Sequence, residues 1–200
     1  MLLLVMIACK EENNPLNKIK EAAGAVKEAK QGFENVSEAV KGFEDLEENT
    51  KKLAELTPIT KEQIKAWMPD KVANYKRTAY NIGSQIGIST FKLTFKGEAE
   101  KMINITISDG AGNGTAFLSM FMMIQNMEID KEDESGYEHT QNFDGQRTLT
   151  KYQSSEKHEK ATLQCLINER FGIEANAWTM TPEELWNFIK KLEIKKLVNE

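Results

Sequence analysis

Residues 101–121, "KMINITISDGAGNGTAFLSMF", govern how the rest of the chain is read. Ile103, Ile105 and Ile107 fall on one side of an extended segment, with Asn104, Thr106 and Ser108 on the other. Such alternation marks a strand with one dry and one wetter face, as in an antiparallel sheet. A parallel Rossmann strand is buried on both faces and reads as a continuous apolar run. The glycines that follow, Gly110, Gly112 and Gly114, invite comparison with phosphate-cradling loops. A dinucleotide fingerprint begun at Gly110 meets Thr115 where its third glycine belongs, and one begun at Gly112 meets Phe117. No Lys-Ser/Thr pair follows, and Asp130, where a ribose-binding acid would fall, sits within a charge run. The glycines are therefore expected to serve a tight strand-to-helix connection, and no cofactor is expected.

The helix after them carries Phe117, Met120, Phe121, Met122, Met123 and Ile124, with Met127 beyond, and is apolar nearly all round. That pattern predicts a helix sandwiched between two layers, its methionines filling irregular gaps in the core. The same thioethers would suit Cu(I), but core packing is the simpler reading.

Further strand signals flank this unit. "IGISTFKLTFKG" alternates weakly over 86–97. In "GYEHTQNFDGQRTLTKYQ", Asp144-Gly145 stands between two strand-like runs, the signature of a type I′ hairpin. Leu163, Cys165, Ile167, Phe171 and Ile173 occupy odd positions and predict two strands turning near Asn168. Thr60 and Gln63 make a capping box for a short helix holding Ile64, Trp67 and Met68, which Pro69 stops. Near the C-terminus Thr181 is an N-cap, Pro182 takes the first helical position and Glu184 closes a second capping box. Leu185, Phe188, Ile189 and Leu192 form that helix's buried stripe, and Met180 can staple to Leu185.

Upstream, Ile19, Val26, Phe33 and Val40 recur every seven residues, with Ala22, Ala29, Val36 and Phe43 three positions further on. This a/d seam predicts one long helix over 18–56, with a slip beyond Phe43 toward Leu46, Leu53 and Leu56. Gly24, Gly32 and Gly42 weaken it, so a helix laid on its own domain is preferred to a free coiled coil. Self-association through 18–56 is the alternative.

The chain opens "MLLLVMIACKEENN". Leu2 to Ala8, ending in a small residue before Cys9, resembles the end of a bacterial lipoprotein signal peptide. The resemblance implies that Cys9 is lipidated and becomes the mature N-terminus. Residues 1–8 are then a signal-peptide remnant and 9–17 a lipidated tether. No Lys or Arg precedes Leu2, so a basic n-region is expected upstream of Met1. Lys10-Glu11-Glu12 is similar to the export signal that places lipoproteins of Bacteroidota on the outer cell surface. Trp67-Met68-Pro69 followed by "YKRTAY" resembles uncharacterised envelope lipoproteins, a likeness that carries no activity across.

Composition narrows the function classes. The formal net charge is −5, and basic residues are interleaved with Glu, so nucleic acid is not an expected partner. No stretch approaches the ~20 apolar residues of a membrane-spanning helix, leaving acylation as the expected route to the membrane. "EIDKEDESGYE" fails as a Ca²⁺ loop, with Ser135 and Gln141 at the positions needing Gly and Glu, and reads as a solvated loop. His139 and His158 lack zinc-site spacing, and Cys165 falls on an apolar strand face where a thiol is inert. Asn104 and Asn113 match glycosylation acceptors that mean little in a bacterial lipoprotein. No catalytic, cofactor-binding or metal residues are assigned.

The expected fold is α+β: the long N-terminal amphipathic helix, then a domain over 58–200 with an antiparallel sheet of about five to seven strands and packed helices. The expected function is a non-catalytic binding or scaffold module, lipid-anchored at the outer membrane and facing periplasm or cell surface. A small-ligand carrier or enzyme with a site assembled from scattered residues is the alternative.

Overall fold

A computed structural model describes residues 47–85, 88–155 and 159–198. The described residues belong to one compact unit within 46–200. Its helices are α1 (47–55), α2 (Lys61–Trp67), α3 (Thr115–Ile124) and α4 (Pro182–Lys191). Its strands are β1 (Lys71–Val72), β2 (Tyr75–Gln85), β3 (Ile88–Lys96), β4 (Met102–Asp109), β5 (Asp130–Asp133), β6 (Gly136–Phe143), β7 (Gln146–Ser154), β8 (Glu159–Ile167) and β9 (Phe171–Trp178). Short 3₁₀ segments lie at Gly112–Gly114 and Ile194–Val198.

All nine strands form one sheet in the order β1-β2-β3-β4-β9-β8-β7-β6-β5, and every neighbouring pair is antiparallel. The register builds continuous rows across it. One row runs Tyr80, Leu93, Ile105, Ala175, Leu163, Thr150, His139 and Asp130. Its centre, from Leu93 to Leu163, is fully buried, while Tyr80 and Asp130 at its two ends are exposed. The dry face is thus apolar in the middle strands and turns polar toward the β5 edge.

Helix α4 covers that dry centre. Thr181 Oγ1 accepts from the Glu184 N–H and the Glu184 carboxylate accepts from the Thr181 N–H, so the capping box forms as read. Leu185, Phe188, Ile189 and Leu192 are buried, and Phe188 meets Phe95 and Tyr75 edge-on at centroid distances of 5.0 and 5.3 Å. Ile64 of α2, together with Ile194 and Leu197, completes the layer. The Asp144-Gly145 hairpin also forms, with both residues at positive φ (52° and 84°).

The opposite face receives α3 and α1 through Leu53, Leu118, Phe121, Met122, Ile124 and Leu166. Two glycines permit this approach. A Cβ on Gly172 would stand 2.6 Å from Phe121, and one on Gly110 would stand 1.9 Å from Leu118.

One charged pair ties the two layers together. Asp109, at the end of β4, is 1% exposed and accepts at both oxygens from Arg170, at 2.7 and 2.9 Å. Its carboxylate also accepts from the backbone N–H groups of Ile59 (2.7 Å) and Ala111 (3.1 Å). Arg170 donates further to the carbonyl of Thr57. The segment between α1 and α2 is therefore pinned where it passes the end of the sheet, from the α3 side to the α4 side.

The expected fold class is corrected. The described chain is mostly a single nine-stranded sheet with four short α-helices, where a long helix and about five to seven strands were expected. Of the expected 18–56 helix, 18–46 lie outside the described residues, and the described helix covers only 47–55. Three strands were not expected, and none shows a clean hydrophobic period: β1 has two residues, β2 is exposed from Thr78 to Asn81, and β5 is the fully charged, exposed Asp-Lys-Glu-Asp. Its sequence reads as a solvated loop, and pairing with β6 makes it a strand.

Asp109→Ala leaves the Arg170 guanidinium largely buried without its partner. Urea unfolding should show a loss of about 3–5 kcal/mol; a loss below about 1 kcal/mol, within the range of an exposed pair, would mean the pair holds nothing together.

Candidate functional site

The outward side of α3 is the most unusual surface of the described unit. A helix that is apolar all round has a stripe left over once one side is packed on a sheet. Here Leu118, Phe121, Met122 and Ile124 are buried, whereas Phe117, Met120 and Met123 are exposed at 43%, 49% and 55%. Met127 and Leu56 extend the same class of exposed apolar side chain beyond the helix and at the end of α1. Among the described residues, α3 has one layer beneath it, and no described element covers its outward stripe, where a helix sandwiched between layers is expected. Large exposed apolar residues gathered on one helix side mark a contact surface, and methionines suit it because flexible thioethers repack against different shapes.

A second group lies at the other end of the sheet. Tyr137 stacks on His139 at a centroid distance of 4.5 Å and tilts against Tyr152 at 5.6 Å. His139 Nε2 lies 3.1 Å from Asp130 Oδ1, the pair being set opposite each other by β5–β6 pairing. Burial pushes the Tyr137 and Tyr152 phenols up, with the Glu183 charge adding to this at Tyr137 and Glu159 at Tyr152. An open cleft of about 170 Å³ near these tyrosines is lined by Lys131, Glu132, Glu138 and Lys151 among others. Beyond it, Asp144 accepts from the Trp186 indole (3.0 Å) and Lys190 (2.6 Å), and Lys190 chiefly holds its carboxyl below the usual range. This group is an aromatic platform with a charged rim.

The structure places the residues singled out in the sequence as follows. Cys9, Lys10, Glu11, Glu12 and His158 lie outside the described residues. Cys165 is fully buried on the dry face of β8, and burial pushes its thiol up to about 12, so no thiolate is available at neutral pH. Asn104 is half-buried and accepts from the Thr94 hydroxyl at 2.8 Å, whereas Asn113 is exposed. Among the described residues, no three His, Cys, Asp or Glu side chains gather as a metal would require. No described helix is long and apolar enough to cross a membrane.

Sequence reasoning missed the exposed side of α3 and the Asp109–Arg170 pair. For the first a signal was present. Ala116, Phe117, Ser119, Met120 and Met123 share one helical side, and a helix covering a single sheet needs only the other. For the second there was none, because the partners are 61 residues apart.

No protein-family model matches the chain, and no curated protein matches it. Among solved structures, the chain is similar to the extracellular domain of PknH from Mycobacterium tuberculosis, at 9% identity and a TM-score of 0.45. The alignment covers 72% of this chain and 99% of that domain.

The two sides of α3 should differ in energetics. Replacing Met120 and Met123 together by Ser should alter unfolding stability by no more than about 0.5 kcal/mol. Met122→Ala, one position away and 4% exposed, should cost about 2–5 kcal/mol. Equal costs would show that the stripe is covered in solution.

Proposed function

We propose that this protein is a lipid-anchored component of a bacterial cell envelope that works as a non-catalytic binding or scaffold module. The observation that carries the binding role is the exposed Phe117–Met120–Met123 side of α3, which no described element covers. A row of large apolar side chains in water favours burial by about 25 cal/mol per Å² covered. A protein partner with its own apolar surface is the occupant that uses it. The anchor rests on the sequence alone: apolar residues from Leu2 to Ala8 precede Cys9, and a polar tether follows. A single acyl chain holds a protein only marginally, and two or more give stable attachment. Lys10-Glu11-Glu12 supports a place on the outer cell surface, the periplasmic face of the outer membrane being the other option.

A small-ligand carrier has weaker support. A candidate among the described residues is the open cleft near Tyr137 and Tyr152, at about 170 Å³, and ligand pockets commonly enclose ~300–1,000 Å³.

Two measurements on the protein in its own membranes test the reading. Mass spectrometry should find Cys9 acylated, and Cys9→Ser should move the protein to the soluble fraction; unmodified Cys9 ends the anchor. A photo-crosslinking side chain at Met120 should give one discrete protein adduct, and the same side chain at exposed Lys92 none. Identical patterns from both positions would end the binding role of α3.

A further inference from the structure

The two edges of the sheet are built differently. An unpaired strand edge is a template for another strand, and edges are ordinarily blunted by shortness, charge, proline or a covering element. The β5 edge follows that rule, with four charged and exposed residues. At the other edge β1 shields only Tyr75 and Lys76 of β2, and the Arg77 N–H reaches the Asp70 carbonyl at 2.8 Å. From Thr78 to Gln85, among the described residues, no strand pairs with the outer side of β2. Those eight residues, Thr-Ala-Tyr-Asn-Ile-Gly-Ser-Gln, hold no charge and no proline. A register shift between Arg77 and Ala79 marks the start of the stretch, and pairing with β3 is regular from there to Gln85. Thr78, Ala79, Tyr80, Asn81 and Gly83 are exposed, Tyr80 at 49%. In an antiparallel ladder every second residue turns its N–H and C=O outward, so this edge offers a row of backbone donors and acceptors that no described strand uses.

We propose that the Thr78–Gln85 edge of β2 is a self-association surface on which a second copy of this chain docks its own β2, antiparallel, continuing the sheet across a two-fold axis. The composition selects the occupant. An edge that binds a charged peptide needs complementary charge, whereas a two-fold interface sets each residue type against itself or a near neighbour. Like charges directly opposite one another destabilise strand pairs, and an uncharged edge is free of that penalty against its own copy. A two-fold axis at Asn81 places Tyr80 opposite Ile82 of the partner subunit, and Asn81 opposite Asn81 of the partner subunit. Tyr80 and Ile82 both lie on the α4 side of the sheet, opposite Leu93 and Phe91 of β3. The pairing therefore adds two aromatic-to-β-branched contacts to the rim of the dry face, a favourable cross-strand combination. Shifting the register by one residue would set Tyr80 against Asn81 and put the dry faces of the two copies on opposite sides. The surface is separate from α3 and needs no lipid anchor, so its test does not depend on the function proposed above.

The experiment uses the full chain with Cys9→Ser, which leaves buried Cys165 as the remaining native thiol. Asn81→Cys on this background should form a disulfide-linked dimer on mild oxidation, because directly opposed antiparallel residues have Cα atoms ~4.5–5.5 Å apart, within disulfide reach. Lys131→Cys on the charged β5 edge should not. Sedimentation velocity of the Cys9→Ser parent should show a reversible dimer. Asn81→Lys, which faces its own copy, should weaken it about fivefold or more with an unchanged thermal melt. A parent that sediments as a strict monomer throughout the micromolar range would overturn the proposal. So would a dimer indifferent to Asn81→Lys, or equal cross-linking from both edges.

Discussion

A buried carboxylate at the end of β4 sets the terms for the whole described unit. Asp109 has no exposed side-chain surface, and an ionised carboxylate out of water is tolerable only when paired and hydrogen-bonded. It is supplied with two guanidinium donors and two backbone N–H groups. These donors come from three separate stretches: the segment between α1 and α2, the glycine turn before α3, and the turn between β8 and β9. Satisfying one charge therefore fixes three connections at the same end of the sheet. An apolar replacement could pack there, but it could not hold these backbone groups in register.

The exposed features follow from that constraint. With the α1–α2 segment held at Ile59 and the glycine turn held at Ala111, α3 lies on Gly172 and Leu166. Its buried side is then used up against a single layer and Leu53, and Phe117, Met120 and Met123 are left facing outward. On the other face α4 packs chiefly on β8 and β7, with Phe188 reaching Tyr75 of β2 and Trp186 stacking on Phe143 of β6. The row from Tyr80 to Asp130 records the result, an apolar centre between two differently finished flanks. One flank ends in the charged β5 beside the tyrosine and histidine platform, and the other in the uncharged outer side of β2.

Much of this organisation was legible before any coordinates. Ile103, Ile105 and Ile107 alternate because one face of β4 is dry, and both capping boxes form because their donors and acceptors lie three residues apart. Asp144-Gly145 adopts the positive φ values that its turn type needs. Such features are local, so the sequence displays them. Strand β5 was not legible, because an exposed edge strand has no dry face to impose a period. Helix α3 shows a different limit, because its exposed and buried sides are written in the same apolar letters. An apolar residue carries the same letter whether it fills a core or awaits a partner, and only the number of layers around the helix tells them apart. The Asp109–Arg170 pair joins positions brought together solely by the β4–β9 register. The residues expected to carry the anchor, Cys9 with Lys10, Glu11 and Glu12, lie outside the described residues, and their role rests on sequence.

Hydrogen exchange at the Ile59 amide tests the central claim most directly. Ile59 belongs to an irregular segment, and in an ordinary loop its N–H would exchange through local opening. If the Asp109 carboxylate pins it, that amide should exchange only with global unfolding, as slowly as the amide of Ile105 in the middle of the sheet. Exchange at the rate of the exposed β3–β4 turn, Glu98–Glu100, would mean that the two layers are held together by apolar packing alone.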